Sequence, residues 1–411
     1  MMAPVGGFDS LEAAIKAGAD SVFFGVRQLN MRARSSHNFE IEEMRDVAER
    51  CSEAGIKCYV TMNTLLYEHD MALMRRIIDE AKACGVSAII VQDMAAVLYA
   101  RQVGMPIQAS TQLSISNFEA VRFYSQFADT VVLAREVDLD MIKGICDRIV
   151  EEDVRGPSGE LVRIEVFVHG ALCIAQAGRC QMSLLQFNTS AQRGACLQEC
   201  RKQYRVYDDE TGKEMMVGNN GYIFSPKDLC SLPFLDRIVA TGVSVLKIEG
   251  RARSPRYVDT VVRVYREAVD AIEAGSFSLE RVDEWMKRLE AVFNRGFTDG
   301  YYLGQMLPDW SSYSKNRSTL ERVYVGRVHH YYGKAGVAEL NVEALEIAKG
   351  DNLVIMGDTT GVVYDSVREM RLDDEVVVRS GKGLVTMPIC EQVRRNDKVY
   401  LLKKRDLDVF A

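Results

Sequence analysis

Histidine is scarce in this chain, with five in 411 residues: His37, His69, His169, His329 and His330. Neither an HExxH zinc motif nor a GxSxG nucleophile elbow occurs. Only His169 falls at the end of a predicted strand, so proteolytic chemistry has few parts to draw on. A Cys–His pair of Cys173 with His169 is conceivable, but it would take one thiol away from any metal. No stretch reaches the roughly 18 uninterrupted apolar residues of a membrane span. The opening MMAPVGGFDSLEAA lacks the charged and apolar regions of a secretory signal. A cytoplasmic protein without membrane association is therefore expected. In that reducing compartment ten cysteines are not expected to form a disulfide framework. There is no internal repeat and no low-complexity tract. The net charge of -7 argues against a general polyanion binder but leaves room for a local basic patch that meets one RNA.

What is present is a regular alternation. Short β-branched runs occur at Met2–Val5, Ser21–Gly25, Lys57–Asn63, Ala88–Asp93, Pro106–Gln112, Asp129–Ala134, Arg163–Gly170 and Val243–Gly250. Amphipathic helical patterns such as Ser10–Lys16, Ile41–Glu53 and Met71–Ala83 lie between them, and Arg256–Ala274 follows the last. Eight β units with helical crossovers predict a (β/α)8 TIM-like barrel over residues 1–318. The seventh and eighth runs are separated by a cysteine-rich insertion at about 171–242, and long insertions in compact domains tend to be functional. From about 319 to 411 short strands alternate with the turn signals GKAG, KGDN, GDTTG, RSGKG and RRND, which predicts a small C-terminal all-β barrel.

Half of the cysteines, Cys173, Cys180, Cys196, Cys200 and Cys230, fall in that insertion. The others, Cys51, Cys58, Cys84, Cys146 and Cys390, are scattered and read as small buried hydrophobes. Thiols grouped on one loop suit a soft metal, and zinc and an iron–sulfur cluster both accept four of them. Only Cys196 and Cys200 are closely spaced, which leans slightly away from a zinc knuckle.

Polar residues gather at the predicted C-terminal strand ends, where barrels of this type carry their sites. By alternation Glu165, Phe167 and His169 share one face of strand seven, Lys247 and Glu249 one face of strand eight, Gln108, Ser110 and Gln112 one face of strand five, and Thr61 and Asn63 one face of strand three. Glu165, His169 and Glu249 are candidate catalytic residues, with Asn63 and Gln112 candidates for substrate binding. Glu165 with Lys247 also reads as a structural ion pair, and Asp93 as a helix cap. Arg251, Arg253 and Arg256 follow strand eight, and Arg32 and Arg34 follow strand two. Arginine forks recognise carboxylate and phosphate, so the first three are candidates for a small dianion. The run Arg201, Lys202, Arg205 is a candidate contact to RNA phosphate.

The segment EVFVHGALCIAQAGRCQMS at Glu165 resembles the signature of peptidase family U32, the collagenase-like proteases. Glu165, Phe167, Gly170, Ala171, Cys173, Gly178, Cys180 and Ser183 match it position by position. STQLSISN at Ser110, GACLQECR at Gly194, SPKDLC at Ser225, KIEGRARSPRYV at Lys247 and FNRGFTDGY at Phe293 are also similar to family segments. The resemblance covers essentially the whole chain. It implies one of two activities: proteolysis, or oxygen-independent hydroxylation with a 4Fe–4S cluster and prephenate as hydroxyl donor. The second acts on tRNA wobble uridine, a ribosomal RNA cytidine or a ubiquinone precursor. Members like this chain imply cluster ligands at Cys173, Cys180, Cys196 and Cys230; a related pattern uses Cys200 instead. A tRNA partner and a dicarboxylate co-substrate are expected, with a non-catalytic metal-bearing scaffold as a third reading.

Overall fold

A computed structural model of the protein describes residues 1–34, 37–215, 221–304, 309–312, 316–373 and 375–405. Seven strands come first: β1 (Met2–Pro4), β2 (Ser21–Gly25), β3 (Lys57–Met62), β4 (Ala88–Val91), β5 (Ile107–Ala109), β6 (Thr130–Val132) and β7 (Arg163–Ala171). The insertion adds a hairpin, β8 (Val206–Tyr207) with β9 (Glu214–Met215), and a short strand β10 (Asp228–Cys230). The eighth barrel strand is β11 (Val245–Ile248), which pairs in parallel with both β1 and β7 and so closes the barrel. Helices α1 (Phe8–Lys16), α2 (Met44–Glu53), α3 (Met71–Ala83), α4 (Met94–Val103), α5 (Phe118–Ser125) and α6 (Leu139–Glu151) follow the first six strands. The insertion carries α7 (Met182–Phe187). The seventh crossover helix is α8 (Leu235–Ala240), the eighth is α9 (Pro255–Glu273), and α10 (Leu279–Glu290) packs outside α9.

The sequence dictates this arrangement through periodicity. Buried Val258, Val261, Val262 and Tyr265 recur at helical spacing along α9 and turn one stripe to the barrel. Asp93, Asn117 and Asp138 accept hydrogen bonds from the first-turn amides of α4, α5 and α6, so the expected cap at Asp93 is present. Asp93 also accepts from the Leu66 amide at 2.9 Å.

Two expectations about strands are corrected. The fifth strand stops at Ala109, and a 3-10 turn at Thr111–Leu113 follows, so Gln112 is not a strand residue. On the seventh strand the register with β11 shifts: Lys247 faces Phe167, but Ile248 faces His169. One residue of bulge moves everything beyond it to the opposite face. His169 thus leaves the inward face that Glu165 and Phe167 share.

After α10 come β12 (Phe297–Thr298), which pairs with β10, and then β13 (Leu320–Tyr332), β14 (Val337–Val342), β15 (Asn352–Gly357), β16 (Gly361–Ser366), β17 (Met370–Leu372), β18 (Glu375–Val377), β19 (Gly383–Pro388) and β20 (Lys398–Lys404). These last eight form one antiparallel sheet in the order β16-β15-β20-β13-β14-β19-β17-β18. It rolls round a core of its own that includes Val325, Leu340, Ile355, Val363, Met370, Val385 and Val399. A satellite cluster of Ala13 from α1 with Val354, Met356 and Val362 joins this unit to the barrel. Lys16 Nζ donates to the Thr360 carbonyl across the same seam, at 2.8 Å. No helix of the described residues is long and apolar enough to cross a membrane.

Candidate functional site

The C-terminal ends of the barrel strands and the insertion enclose a pocket with a cavity of about 170 Å³. Its floor is the upper barrel interior: Phe23, Thr61, Ile90, Val132, Phe167 and Lys247. Beneath it Glu165 is fully buried, with Oε1 accepting from Lys247 Nζ at 2.7 Å and Oε2 from Gln108 Nε2 at 2.7 Å. Lys247 also lies 4.4 Å from the Phe23 ring centroid. Both carboxylate oxygens are therefore occupied, and Glu165 braces strands β5, β7 and β11 under the pocket.

The wall above β11 is built on Glu249. Its Oε1 is 2.8 Å from Arg32 Nη2, and its Oε2 is 4.0 Å from Arg135 Nη2. Burial pushes this carboxyl up, but Arg32, Arg135 and Arg251 outweigh it and hold it down at about 2. Arg251 donates to Thr61 Oγ1 at 3.1 Å and Asn30 Oδ1 at 3.0 Å. Gly25 leaves it room: a Cβ there would stand 2.1 Å from Arg251 Nη1. Burial depresses the Arg251 guanidinium to about 10. Asn63 and Gln112 also line the pocket, Asn63 Nδ2 donating to Gln112 Oε1 at 3.0 Å and Asn63 Oδ1 accepting from the Met31 amide at 3.1 Å. The 3-10 turn, rather than strand parity, brings Gln112 there.

The opposite wall belongs to the insertion and to β10. Arg201 donates to the Pro226 carbonyl at 2.7 Å and to the Leu172 carbonyl. Of the basic run expected to meet RNA, Arg201 is thus turned into the protein, while Lys202 and Arg205 are exposed. Arg295 Nη1 is 3.2 Å from Asp228 Oδ1, and Arg253 lies 3.5 Å from the Phe293 ring centroid. Among the described residues seven cationic side chains (Arg32, Arg135, Arg201, Lys247, Arg251, Arg253, Arg295) and three carboxylates (Glu136, Glu199, Glu249) line the pocket. Within a chain of net charge -7, that is a strong local excess of positive charge.

Cys173, Cys180, Cys196 and Cys200 all line the same pocket. Burial raises the Cys200 thiol to about 11, and its neighbours Cys173, Cys196 and Cys180 act in the same direction. Cys230 is elsewhere. It is buried on β10, with its Sγ 3.7 Å from Met286 Sδ and 3.9 Å from the Tyr265 hydroxyl. The chain pairing explains this: Cys230 lies opposite His169, beyond the bulge, on the side that faces α9 and α10. The geometry therefore groups Cys200, not Cys230, with the other three thiols. Among the described residues no three His, Cys, Asp or Glu side chains are grouped so as to hold a metal ion, and the four thiols are neighbours on one wall without forming a ligand set. As a donor set they fit a soft metal or a cluster, because they are sulfur ligands on one partly exposed segment beside compensating arginines.

Two further candidates lie outside the pocket. His169 is buried against Tyr265, Tyr257 and Phe297, its Nδ1 3.3 Å from the Tyr265 hydroxyl, and burial depresses its imidazole to about 3. Arg256 sits in the first turn of α9 and faces Tyr364 of the C-terminal sheet, so it belongs to the seam between the two units. Residues not singled out as candidates include Arg135, Glu136 and Arg295. The first two follow β6 after Leu133 and Ala134, a position that marks them as mouth residues; Arg295 precedes β12 within FNRGFTDGY.

Comparison with known proteins places these features in a family. The model of "Peptidase family U32" matches residues 6–312. A protein named collagenase from Porphyromonas gingivalis (strain ATCC BAA-308 / W83) is 49% identical over 407 residues, covering 99% of this chain and 98% of that one. "tRNA hydroxylation protein P1" of Bacillus subtilis (strain 168) is 31% identical, covering 87% of this chain and 83% of that one. The "23S rRNA 5-hydroxycytidine synthase" of Escherichia coli (strain K12) is 32% identical, covering 84% of this chain and 50% of that one. With the family signature lining the pocket and the match extending over the barrel and its insertion, the chain belongs to peptidase family U32.

Proposed function

We propose that this protein is an iron–sulfur enzyme that hydroxylates a tRNA wobble uridine to 5-hydroxyuridine without molecular oxygen, with prephenate as hydroxyl donor. The observation that carries this reading is the joining of four thiols and six arginines in one pocket. A 4Fe–4S cluster would be held by Cys173, Cys180, Cys196 and Cys200; when bound it supplies electron transfer, or a Lewis-acidic iron where one position is open. The arginines bind and orient a small dianion. Glu249 stays ionised and fixes Arg32 and Arg135, and Glu165 fixes Lys247 at the floor; both act as positioning residues. Glu136, in the loop after β6, lines the same pocket. The relatives named for RNA hydroxylation support the substrate class.

A peptidase reading is favoured by the relative named collagenase. Against it, none of the described residues lining the pocket is a histidine, and His169 faces away. The test uses mass spectrometry of tRNA nucleosides from cells that lack the native gene and carry this one. Restored 5-hydroxyuridine, together with iron and a visible absorbance band in anaerobically purified protein, is expected. No hydroxylated uridine, together with cleavage of gelatin by the purified protein, would replace the hydroxylase reading with the peptidase one. Colourless, zinc-loaded protein without either activity would favour a scaffold.

A further inference from the structure

The six pocket arginines gather round two carboxylates, and Arg32 of the first gathering also bears on Arg253 of the second. Arg32, Arg135 and Arg251 surround Glu249 above β11. Arg201, Arg253 and Arg295 surround Asp228 at the start of β10. Six guanidinium charges thus share Glu249 and Asp228, with Glu136 and Glu199 the further carboxylates on the pocket wall. A buried cation without a counter-charge is costly, so such an excess persists where a ligand supplies the missing anion.

The second group carries the clearer sign of a missing partner. The Arg295 side chain is 6% exposed and lines the pocket, yet among the described residues its Nε has no hydrogen-bond partner. Its Nη1 is held by Asp228, so the fork is anchored while one donor stays unused. Beside it Arg253 rests on the Phe293 ring and, among the described residues, has no ion pair within bonding distance. Buried donors are nearly always satisfied, and an orphan in a cavity wall points to a group not yet in place.

We propose that the two groups are separate anchor points for one small molecule bearing two anionic groups: one carboxylate seats on Arg253 and Arg295 beside Phe293, the other on Arg135 and Arg251 beside Glu249. Two forked sites select a dianion over a monoanion, because a ligand with a single carboxylate satisfies one group only. The proposal deepens the dicarboxylate part of the functional reading and rests on it for the choice of probe.

Calorimetric titration of the anaerobically purified holoprotein tests it with two probes, prephenate with two carboxylates and phenylpyruvate with one. Saturable prephenate binding is expected, about tenfold or more tighter than that of phenylpyruvate. Arg295→Gln and Arg135→Gln should each weaken prephenate about tenfold, whereas phenylpyruvate should lose affinity in one of the two variants and not in the other. Arg295→Lys, which keeps the charge but not the fork, should fall between. Iron content and thermal melting check that each variant is folded. Equal losses for both probes in both variants, or no saturable heat with prephenate, overturn the two-anchor proposal. Those outcomes are separable from failure of the hydroxylase reading, which the nucleoside assay reports independently.

Discussion

At the scale of single residues, the thiols decide the first prediction. Cys200 stands in the pocket wall, and Cys230 is packed against Met286 and Tyr265. If the pocket thiols hold the proposed cluster, Cys200→Ser should empty the site of iron, while Cys230→Ser should keep it; iron per chain after anaerobic reconstitution measures both. Loss in Cys230→Ser with retention in Cys200→Ser would restore the ligand set that the family resemblance implied. The buried Glu165–Lys247 pair gives a second test. Lys247→Met leaves a buried carboxylate uncompensated and should cost roughly 3–5 kcal/mol, with part of that recovered when Glu165→Gln is added. Acid sensitivity follows from two other groups. Glu249 is held at about 2 in the folded protein against 4.5 when free, so its contribution is whole above about 4.5 and is lost as pH falls towards 2. His169 is held at about 3 against 6.5, so the unfolded chain takes up a proton first and stability declines as pH falls from 6.5. Melting temperature against pH should show both limbs, and His169→Phe should flatten the upper one.

At the scale of elements, legibility followed periodicity and failed where it broke. The eight barrel strands and their crossovers were readable because apolar alternation and helical stripes recur for 250 residues. Parity then placed Glu165 and Phe167 correctly but not His169, because a bulge inserts no unusual residue that alternation could flag. The family resemblance implied Cys230 as the fourth ligand, with Cys200 in its place only in a related pattern, and the pairing of β10 on β7, which separates the two, involves residues some 60 positions apart that no local pattern connects. Gly170 is the visible trace of this irregularity. Its φ is +108°, and a Cβ there would stand 2.3 Å from the Glu249 carbonyl oxygen. Gly170→Ala should destabilise the protein by about 1–3 kcal/mol and also weaken prephenate binding, since Glu249 anchors one arginine group. Chemical denaturation paired with calorimetry checks this; an unchanged midpoint would mean that the strand relaxes freely.

At the scale of the whole molecule, the barrel and the C-terminal sheet each own a core, and they meet on a small apolar seam around α1 and β16. Val362 is buried in that seam. Val362→Asp places a charge there without touching the pocket, so thermal unfolding should split into two transitions while prephenate affinity stays within about twofold. A single unshifted transition would show the seam to be stronger than its apolar content indicates. The C-terminal unit was legible as all-β from its turn signals, but its partner surface was not. Arg256, nominated for substrate from its place after strand eight, is instead part of that seam. Position along the chain could not tell which way the first turn of α9 faces.

The pairing of β10 with β7 has a consequence for how the protein matures. Asp228 lies opposite Ala171 and Leu229 opposite Gly170, so the chain that departs at the end of β7 comes back beside its own point of departure. The excursion between them carries Cys173, Cys180, Cys196 and Cys200. Its closure is secured by the ladder, and the entropy of bringing its ends together is spent when the barrel forms. Loading of the proposed cluster would then follow as a late, separable event on an assembled scaffold. Refolding in the absence of iron and sulfide should therefore regain far-ultraviolet circular dichroism at the normal rate, with colour appearing afterwards as a distinct, slower phase once both are supplied.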